Sequence, residues 1–376
     1  MLEELKKIDI KATHIIFLAD IHFGKHVNSE EWQDNMRDYF YNFFIPKIKE
    51  IKSKLNNNEK LICIILGDTY DDRKAIDINV NNLSIDVMED ISKEVEIYII
   101  NGNHDLSKKT NKGNSSLRSI EYIPNIFVIT DPTMLNINYD ASKHCKLLAI
   151  PYLGDHTLEN EYLAKYSSKS QYALMHTDIA NMKMDNGMMI TGGVNSKIYK
   201  GTILSGHIHK RQESEKVIYV GSPYHMSKAD IGNDKGLYVL NIDKKELSFI
   251  KNDYSPIYHS IYMSDYCDMS DEERKAFFNN NYNYVIIDED SIPQYKKKYD
   301  IYDLGAGTTA KMVKPIINKH KQTIEIDENK DYQEMSISEL ISESIQQLDL
   351  EDDAKMRLTN LSNEYLKDAE SEIVAD

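Results

Sequence analysis

The stretch HIIFLADIHFG, residues 14–24, decides the fold, because an unbroken apolar run ends abruptly in a polar Asp-x-His. Five apolar residues with no polar interruption at alternate positions describe a strand buried on both faces. The same arrangement recurs in LICIILGD (61–68), VEIYIINGNHD (95–105), YALMH (172–176) and GTILSGHIH (201–209). Further short runs, IFVIT (126–130), CKLLAIPY (145–152) and KVIYVGSP (216–223), have strand length but no metal-type ending. Residues 29–55 carry Trp32, Met36, Tyr39, Phe40, Phe43, Phe44 and Ile48 at helical spacing, and 77–93 reads likewise. Strands alternating with helices predict an α/β layered domain around a buried sheet. The strand 236–242 and the following ELSFIKNDY read as a hairpin that closes this domain at 254.

Residues 255–313 are expected to form a small α/β unit, with a helix start at Ser270-Asp271-Glu272-Glu273 and a strand at 282–288. Residues 314–334 are rich in lysine, asparagine and glutamate and read as a linker. Residues 335–376 offer two amphipathic helices, a C-terminal helix hairpin, with one stripe of Ile337, Leu340, Ile341, Ile345 and Leu348 and another of Ala354, Leu358, Leu361 and Tyr365.

The composition, 41% hydrophobic and 28% charged, is that of a globular protein. No apolar run is long enough for a membrane span, and the charged N-terminus lacks the h-region of a signal peptide. Three widely spaced cysteines give no disulfide framework. The expected compartment is therefore the cytoplasm, that of the host if the chain is viral. A net charge of −16 excludes a uniformly basic nucleic-acid coat, but not a nuclease with a cationic site.

The polar endings share one chemistry. Asp20 with His22, and His207 with His209, are i, i+2 pairs that share a face of an extended segment. Asp68 has two oxygens with which to bridge two cations, Asn103 offers an amide oxygen, and His176 a further imidazole. Strand ends gather at one crevice of an α/β fold, so these motifs can meet although about 190 residues of sequence separate them. A set of carboxylate, imidazole and amide without thiolate suits manganese or iron better than structural zinc. Two such cations roughly 3.5–4 Å apart clamp the oxygens of a phosphoryl displacement and acidify a water between them. His104, beside Asn103, is the natural general acid for the leaving oxygen. Singly, each motif is commonly a turn or a surface pair; the ordered set is what carries the reading.

As a set the motifs are the signature of the calcineurin-like metallophosphoesterase superfamily, whose fold is a β-sandwich flanked by helices. The resemblance implies one metal on Asp20, His22 and His209, another on Asn103, His176 and His207, Asp68 between them, and His104 acting on the leaving group. DIHFG (20–24), GDTYDDR (67–73), GNHDL (102–106) and GSPY (221–224) resemble the SbcD-type double-strand-break repair nucleases, and RKAI (73–76) with the two-helix tail is similar to their T-even phage branch. That branch implies a manganese-dependent DNA exonuclease and endonuclease subunit with two Mn2+ (or Mg2+) per chain. It also implies a homodimer through 77–93 and 114–122, within a heterotetramer with an SbcC-type coiled-coil ATPase. Cellular members often carry a histidine where this chain has Asp71, so a phosphate-contacting role is not carried over to that position.

Lys25, Arg73, Lys74, Lys108, Lys109, Lys112, Lys210 and Arg211 flank the motifs and suggest a rim that tracks a DNA backbone. By resemblance, Ile337, Leu340, Ile341, Leu358 and Leu361 would dock on the ATPase. Two rival readings are another calcineurin-like phosphodiesterase or protein phosphatase, and a DNA-end-binding scaffold without turnover. The first has no need of residues 255–376, and the second has no need of a complete ligand set with His104.

Overall fold

A computed structural model describes residues 4–72, 74–107, 114–140, 143–301, 303–318, 341–342, 344–345 and 354–362. The chain divides into two compact units. The first comprises Met1–Val285 with Gly305–Lys314, and the second Ile286–Leu304 with Pro315–Asp376. Of residues 255–313, 255–285 and 305–313 group with the first unit and 286–304 with the second.

Thirteen strands of the first unit are β1 (Lys6–Lys11), β2 (His14–Leu18), β3 (Leu61–Ile65), β4 (Glu96–Ile100), β5 (Ile126–Ile129), β6 (Thr133–Asp140), β7 (Lys143–Ile150), β8 (Tyr172–His176), β9 (Thr202–Gly206), β10 (Gln212–Glu213), β11 (Val217–Tyr219), β12 (Gly236–Asn241) and β13 (Glu246–Lys251). They form one sheet of order β1-β6-β7-β8-β9-β11-β10 and another of order β13-β12-β2-β3-β4-β5. In the second sheet β2 to β5 run parallel, and the expected β12–β13 hairpin closes the edge with β12 antiparallel to β2. In the first sheet β7, β8, β9 and β11 are parallel.

The apolar runs work because successive side chains point to opposite faces. Ile15, Phe17, Ile62, Ile64, Tyr98 and Ile100 share one core with Leu135, Leu147, Leu174 and Leu204 of the other sheet. Their neighbours Ile16, Leu18, Cys63, Ile65, Ile97 and Ile99 pack instead with Trp32, Met36, Tyr39, Phe40, Val87 and Met88. On the far side Leu148, Ile150, Ala173 and Met175 meet Tyr162, Leu163 and Tyr166. The result is four layers, helix–sheet–sheet–helix, in which both sheets are covered twice.

Residues 30–53 are helical throughout, with a π turn at Phe40–Phe44 between Glu30–Tyr39 and Ile45–Ser53. The helix Ile78–Glu94 starts at Asp77, whose carboxylate caps Asn79 and Val80. Three more strands, β14 (Tyr258–Tyr262), β15 (Tyr282–Asp288) and β16 (Met312–Asn318), make a small sheet. The helix Asp271–Phe278 begins in a capping box of Ser270 and Glu273, as its sequence foretells. Residues 303–311 are mostly turns, and the next strand begins at Met312. Ile337 and Leu340 lie outside the described residues; 341–342, 344–345 and 354–362 are helical.

Candidate metal centre

Five strand ends deliver the expected ligands to one place. Asp20 and His22 follow β2, Asp68 follows β3, Asn103 and His104 follow β4, His176 ends β8, and His207 and His209 follow β9. Beyond their strands, β2 and β3 stay joined by Asp20 N–H to Gly67 O (3.1 Å), His22 N–H to Asp68 O (3.0 Å) and Phe23 N–H to Thr69 O (2.8 Å).

The turns that aim these side chains are strained. Asp20, His22, Asp68 and His207 all have positive φ, 53°, 54°, 52° and 93°. Such backbone costs on the order of 1–3 kcal/mol per residue and persists only where surrounding contacts enforce it. Here they do: Asp20 Oδ1 accepts the His207 N–H at 2.9 Å, and Asp68 Oδ1 accepts the His104 N–H at 2.8 Å. Two glycines make room. A Cβ on Gly67 would lie 2.4 Å from His176 Nδ1, and one on Gly102 would lie 2.1 Å from Asp68 Oδ1.

Donor atoms of the expected ligands form two clusters, Asp20 with His22 and His209, and Asp68 with His176 and His207, and a third group, His22 with Asp71 and His104, overlaps the first through His22. In the first, the Nε2 atoms of His22 and His209 face each other at 3.1 Å. In the second, Asn103 Oδ1 lies 3.0 Å from His176 Nε2 and 2.9 Å from His207 Nδ1. Asp68 Oδ2 lies between the clusters, 3.2 Å from His176 Nε2 and 3.6 Å from His22 Nε2. Asp20 Oδ2 is buried with no hydrogen-bond partner among the described residues. An orphaned carboxylate oxygen and inward-facing imidazole nitrogens fit cations, because a shared positive charge satisfies them all.

Electrostatics agree. Burial pushes the Asp20 carboxyl up to about 6. Burial also opposes ionisation of Asp68, but the His176, His22 and His104 rings outweigh it and hold that carboxyl well below its usual range. Burial lowers His176, yet Asp68 and Asp20 draw it up to about 9. Burial and the neighbouring His22 ring push His209 well down. These opposed shifts on neighbouring buried groups mark a candidate functional site.

Each ligand histidine has a second contact that presents its other nitrogen to the centre. His176 Nδ1–H donates to Leu66 O at 2.7 Å. His22 Nδ1 lies 2.9 Å from Asp71 Oδ1, at an angle poor for a hydrogen bond, so the contact is chiefly Coulombic. His207 Nε2 lies 3.4 Å from Asp178 and His209 Nδ1 3.6 Å from Asp185. Asp71 also receives Lys25 Nζ at 2.9 Å, and its backbone carbonyl accepts His104 Nδ1–H at 2.6 Å. Burial raises the Asp71 carboxyl, but His22 and Lys25 outweigh it and keep it well below the usual range. The His104 ring meets His22 edge-on at 5.0 Å, and burial lowers its basicity.

Sequence reasoning missed Asp178, Asp185 and the part played by Asp105. Asp178 stands two residues after His176, a His-x-Asp that resembles the Asp-x-His already singled out; Asp185 carries no local signal. Fully buried Asp105 accepts the N–H groups of Gly102, Thr69 and Tyr70, tying two motif loops together. The expected cationic rim is less uniform than its sequence suggests. Lys74 is exposed and Lys210 half-buried. Lys25 is engaged with Asp71. Arg211 bonds Glu213 and lies over the Phe249 ring at 4.2 Å, so its guanidinium serves the fold. Arg73, Lys108, Lys109 and Lys112 lie outside the described residues.

A family model for calcineurin-like phosphoesterases matches residues 13–287. The chain is also similar to exonuclease subunit 1 of Enterobacteria phage T4, with 24% identity over 242 residues, 63% of this chain and 67% of that protein. The match takes in all five strand-end motifs and every residue of both donor clusters, and the chain belongs to the calcineurin-like phosphoesterase family.

Proposed function

We propose that this phosphoesterase is a manganese-dependent DNA nuclease, exonucleolytic and endonucleolytic, that processes DNA ends in recombination and repair. The observation that carries the reading is the pair of oxygen-and-imidazole clusters sharing Asp68, together with similarity to a phage exonuclease subunit. When bound, the two cations supply positive charge to the phosphate and lower the pKa of a water. Asp20, His22 and His209 would hold one, and Asn103, His176 and His207 the other, with Asp68 between. The residues themselves orient and exclude. Asp71, Asp178, Asp185 and Leu66 O fix the imidazoles, and His104, held through Nδ1 on Asp71 O, keeps Nε2 for the leaving oxygen.

The same reading includes a homodimer using the helix Ile78–Glu94, where Ile78 is exposed, and the segment near 114–122, where Tyr122 is exposed. It includes an SbcC-type ATPase bound by the tail, where Leu358 and Leu361 are exposed on a helical segment. It places the chain in the cytoplasm; among the described residues no helix is long and apolar enough to cross a membrane.

The test is digestion of end-labelled linear DNA with manganese, with magnesium and with chelator, beside a chromogenic phosphodiester and a phosphopeptide. Manganese-dependent loss of labelled DNA is expected. Hydrolysis of the phosphopeptide with DNA left intact would overturn the proposal in favour of a protein phosphatase, and no turnover of any substrate in manganese would favour a scaffold.

A further inference from the structure

The segment 182–190, KMDNGMM between buried Met182 and Ile190, forms a small hairpin that supplies no metal ligand itself. Lys183 and Met189 are bridged, Met184 N–H bonds Met188 O at 2.8 Å, and the turn opens at Gly187, with φ 89° and empty space around it. The base is pinned by Met182 and Ile190 in the core and by Gln212, which accepts the Lys183 N–H and donates to its carbonyl.

Two features stand out. Met184, Met188 and Met189 are 39%, 64% and 49% exposed, three large apolar side chains on one short turn. Between them, Asp185 reaches back into the metal centre: Oδ1 accepts the Lys210 N–H at 2.9 Å, and Oδ2 lies 3.6 Å from His209 Nδ1. Met184 adjoins Asp185, and Met188 and Met189 follow it by three and four residues, at most about 11 and 15 Å along the Cα trace. Exposed Lys183 and half-buried Lys210 flank them with positive charge.

We infer that this hairpin is a nucleotide-gripping element: its methionines lie against unstacked bases beside the scissile phosphate, and it favours single-stranded or frayed DNA over stacked duplex. Thioethers are polarisable and flexible and make favourable contacts with aromatic faces. Methionine is among the wedges that proteins insert between base steps. The cations beside the hairpin suit the phosphates of the same strand, which must enter the metal centre to be cut. A protein partner would satisfy the apolar tip but has no need of the link to His209. The inference rests on the nuclease reading above.

Two measurements test it. With calcium in place of manganese, mild peroxide oxidises exposed methionines. A short single-stranded oligonucleotide should protect Met184, Met188 and Met189, and a blunt duplex should protect them less. In the second, Met184→Ser, Met188→Ser and Met189→Ser are combined; being exposed, they leave the core untouched. The ratio of kcat/KM on single-stranded DNA to that on a chromogenic phosphodiester should fall roughly 5-fold, from three sulfur–aromatic contacts at the weak end of their range. An enzyme that cuts DNA, yet shows no protection and an unchanged ratio, refutes the hairpin's role while leaving the nuclease reading intact. A wild-type protein that cuts no DNA refutes that reading instead. Protection by a coiled-coil ATPase but not by oligonucleotide makes the hairpin a protein-docking surface and overturns the inference.

Discussion

Replacing Asp71 should weaken metal binding while leaving the chemistry near the leaving group largely in place. The two effects separate because Asp71 serves its neighbours through different atoms. Its carboxylate lies 2.9 Å from His22 Nδ1, and its backbone carbonyl accepts His104 Nδ1–H at 2.6 Å. A side-chain substitution removes the first contact and spares the second. Loss of a partner behind a metal-bound histidine typically costs 10–100-fold in metal affinity, or about 1.4–2.8 kcal/mol. Asp71→Asn keeps the side chain's shape but loses the charge that makes the contact, so a loss of at least about 10-fold is expected. Asp71→Ala leaves the almost fully buried His22 ring without its neighbour, so the loss should approach 100-fold. The assay is titration of the metal-free protein with manganese by calorimetry, with kcat measured at saturating manganese in parallel. Affinity should fall in the order wild type, Asn, Ala, with kcat changed by less than about 3-fold, a small effect beside the ~10²–10⁴-fold of a lost acid–base group. If affinity is unchanged in both variants, Asp71 does not set the His22 ring. If kcat collapses at full occupancy, the carboxylate acts on substrate.

His104→Ala should retain metal and DNA affinity and lose about 10²–10⁴-fold in rate, whereas Asp68→Ala should lose metal, because Asp68 Oδ2 faces imidazoles of both clusters; normal cleavage by His104→Ala would remove its assigned role. His225 gives a pH prediction away from the metals. Its buried Nδ1 accepts the Tyr258 N–H, which requires an unprotonated nitrogen, and burial pushes its pKa from 6.5 down to about 4. The unfolded chain therefore takes up this proton first as pH falls. Stability from His225 is complete above 6.5 and is lost between 6.5 and 4, on the order of 3 kcal/mol for a shift of this size. Urea titrations at pH 7 and pH 5 should show a smaller acid loss in His225→Gln than in wild type, and identical slopes would refute it. For the tail, Leu358→Asp with Leu361→Asp should abolish co-purification with an SbcC-type ATPase while manganese-dependent DNA digestion stays within about 2-fold, since both residues are exposed; unchanged co-purification would exclude these residues from the contact.

The parts of this protein that follow short-range rules were legible in the sequence. β2, β3, β4, β8 and β9 announce themselves because strands covered on both faces are apolar at nearly every position. The ligands announce themselves because they cluster in the short polar motifs that end such runs. Even the hairpin β12–β13 and the Ser270 capping box follow from local pattern. β1 and β6 escaped because polar residues such as Asp9, Asn136 and Asn138 interrupt them, and a strand with a wetted face resembles a loop. Only the tertiary structure decided what each side chain meets. Asp71 could equally have faced substrate; packing of the β3 loop against the β2 loop turns it onto His22 and Lys25, 49 and 46 residues away. Asp178 and Asp185 became supports of His207 and His209, and Arg211 left the expected rim for Glu213 and Phe249, through contacts that no spacing encodes. The physical reason is range. Burial and backbone geometry act on neighbours along the chain, whereas a hydrogen bond or ion pair acts over about 3–4 Å of space and is fixed only once the layers have packed.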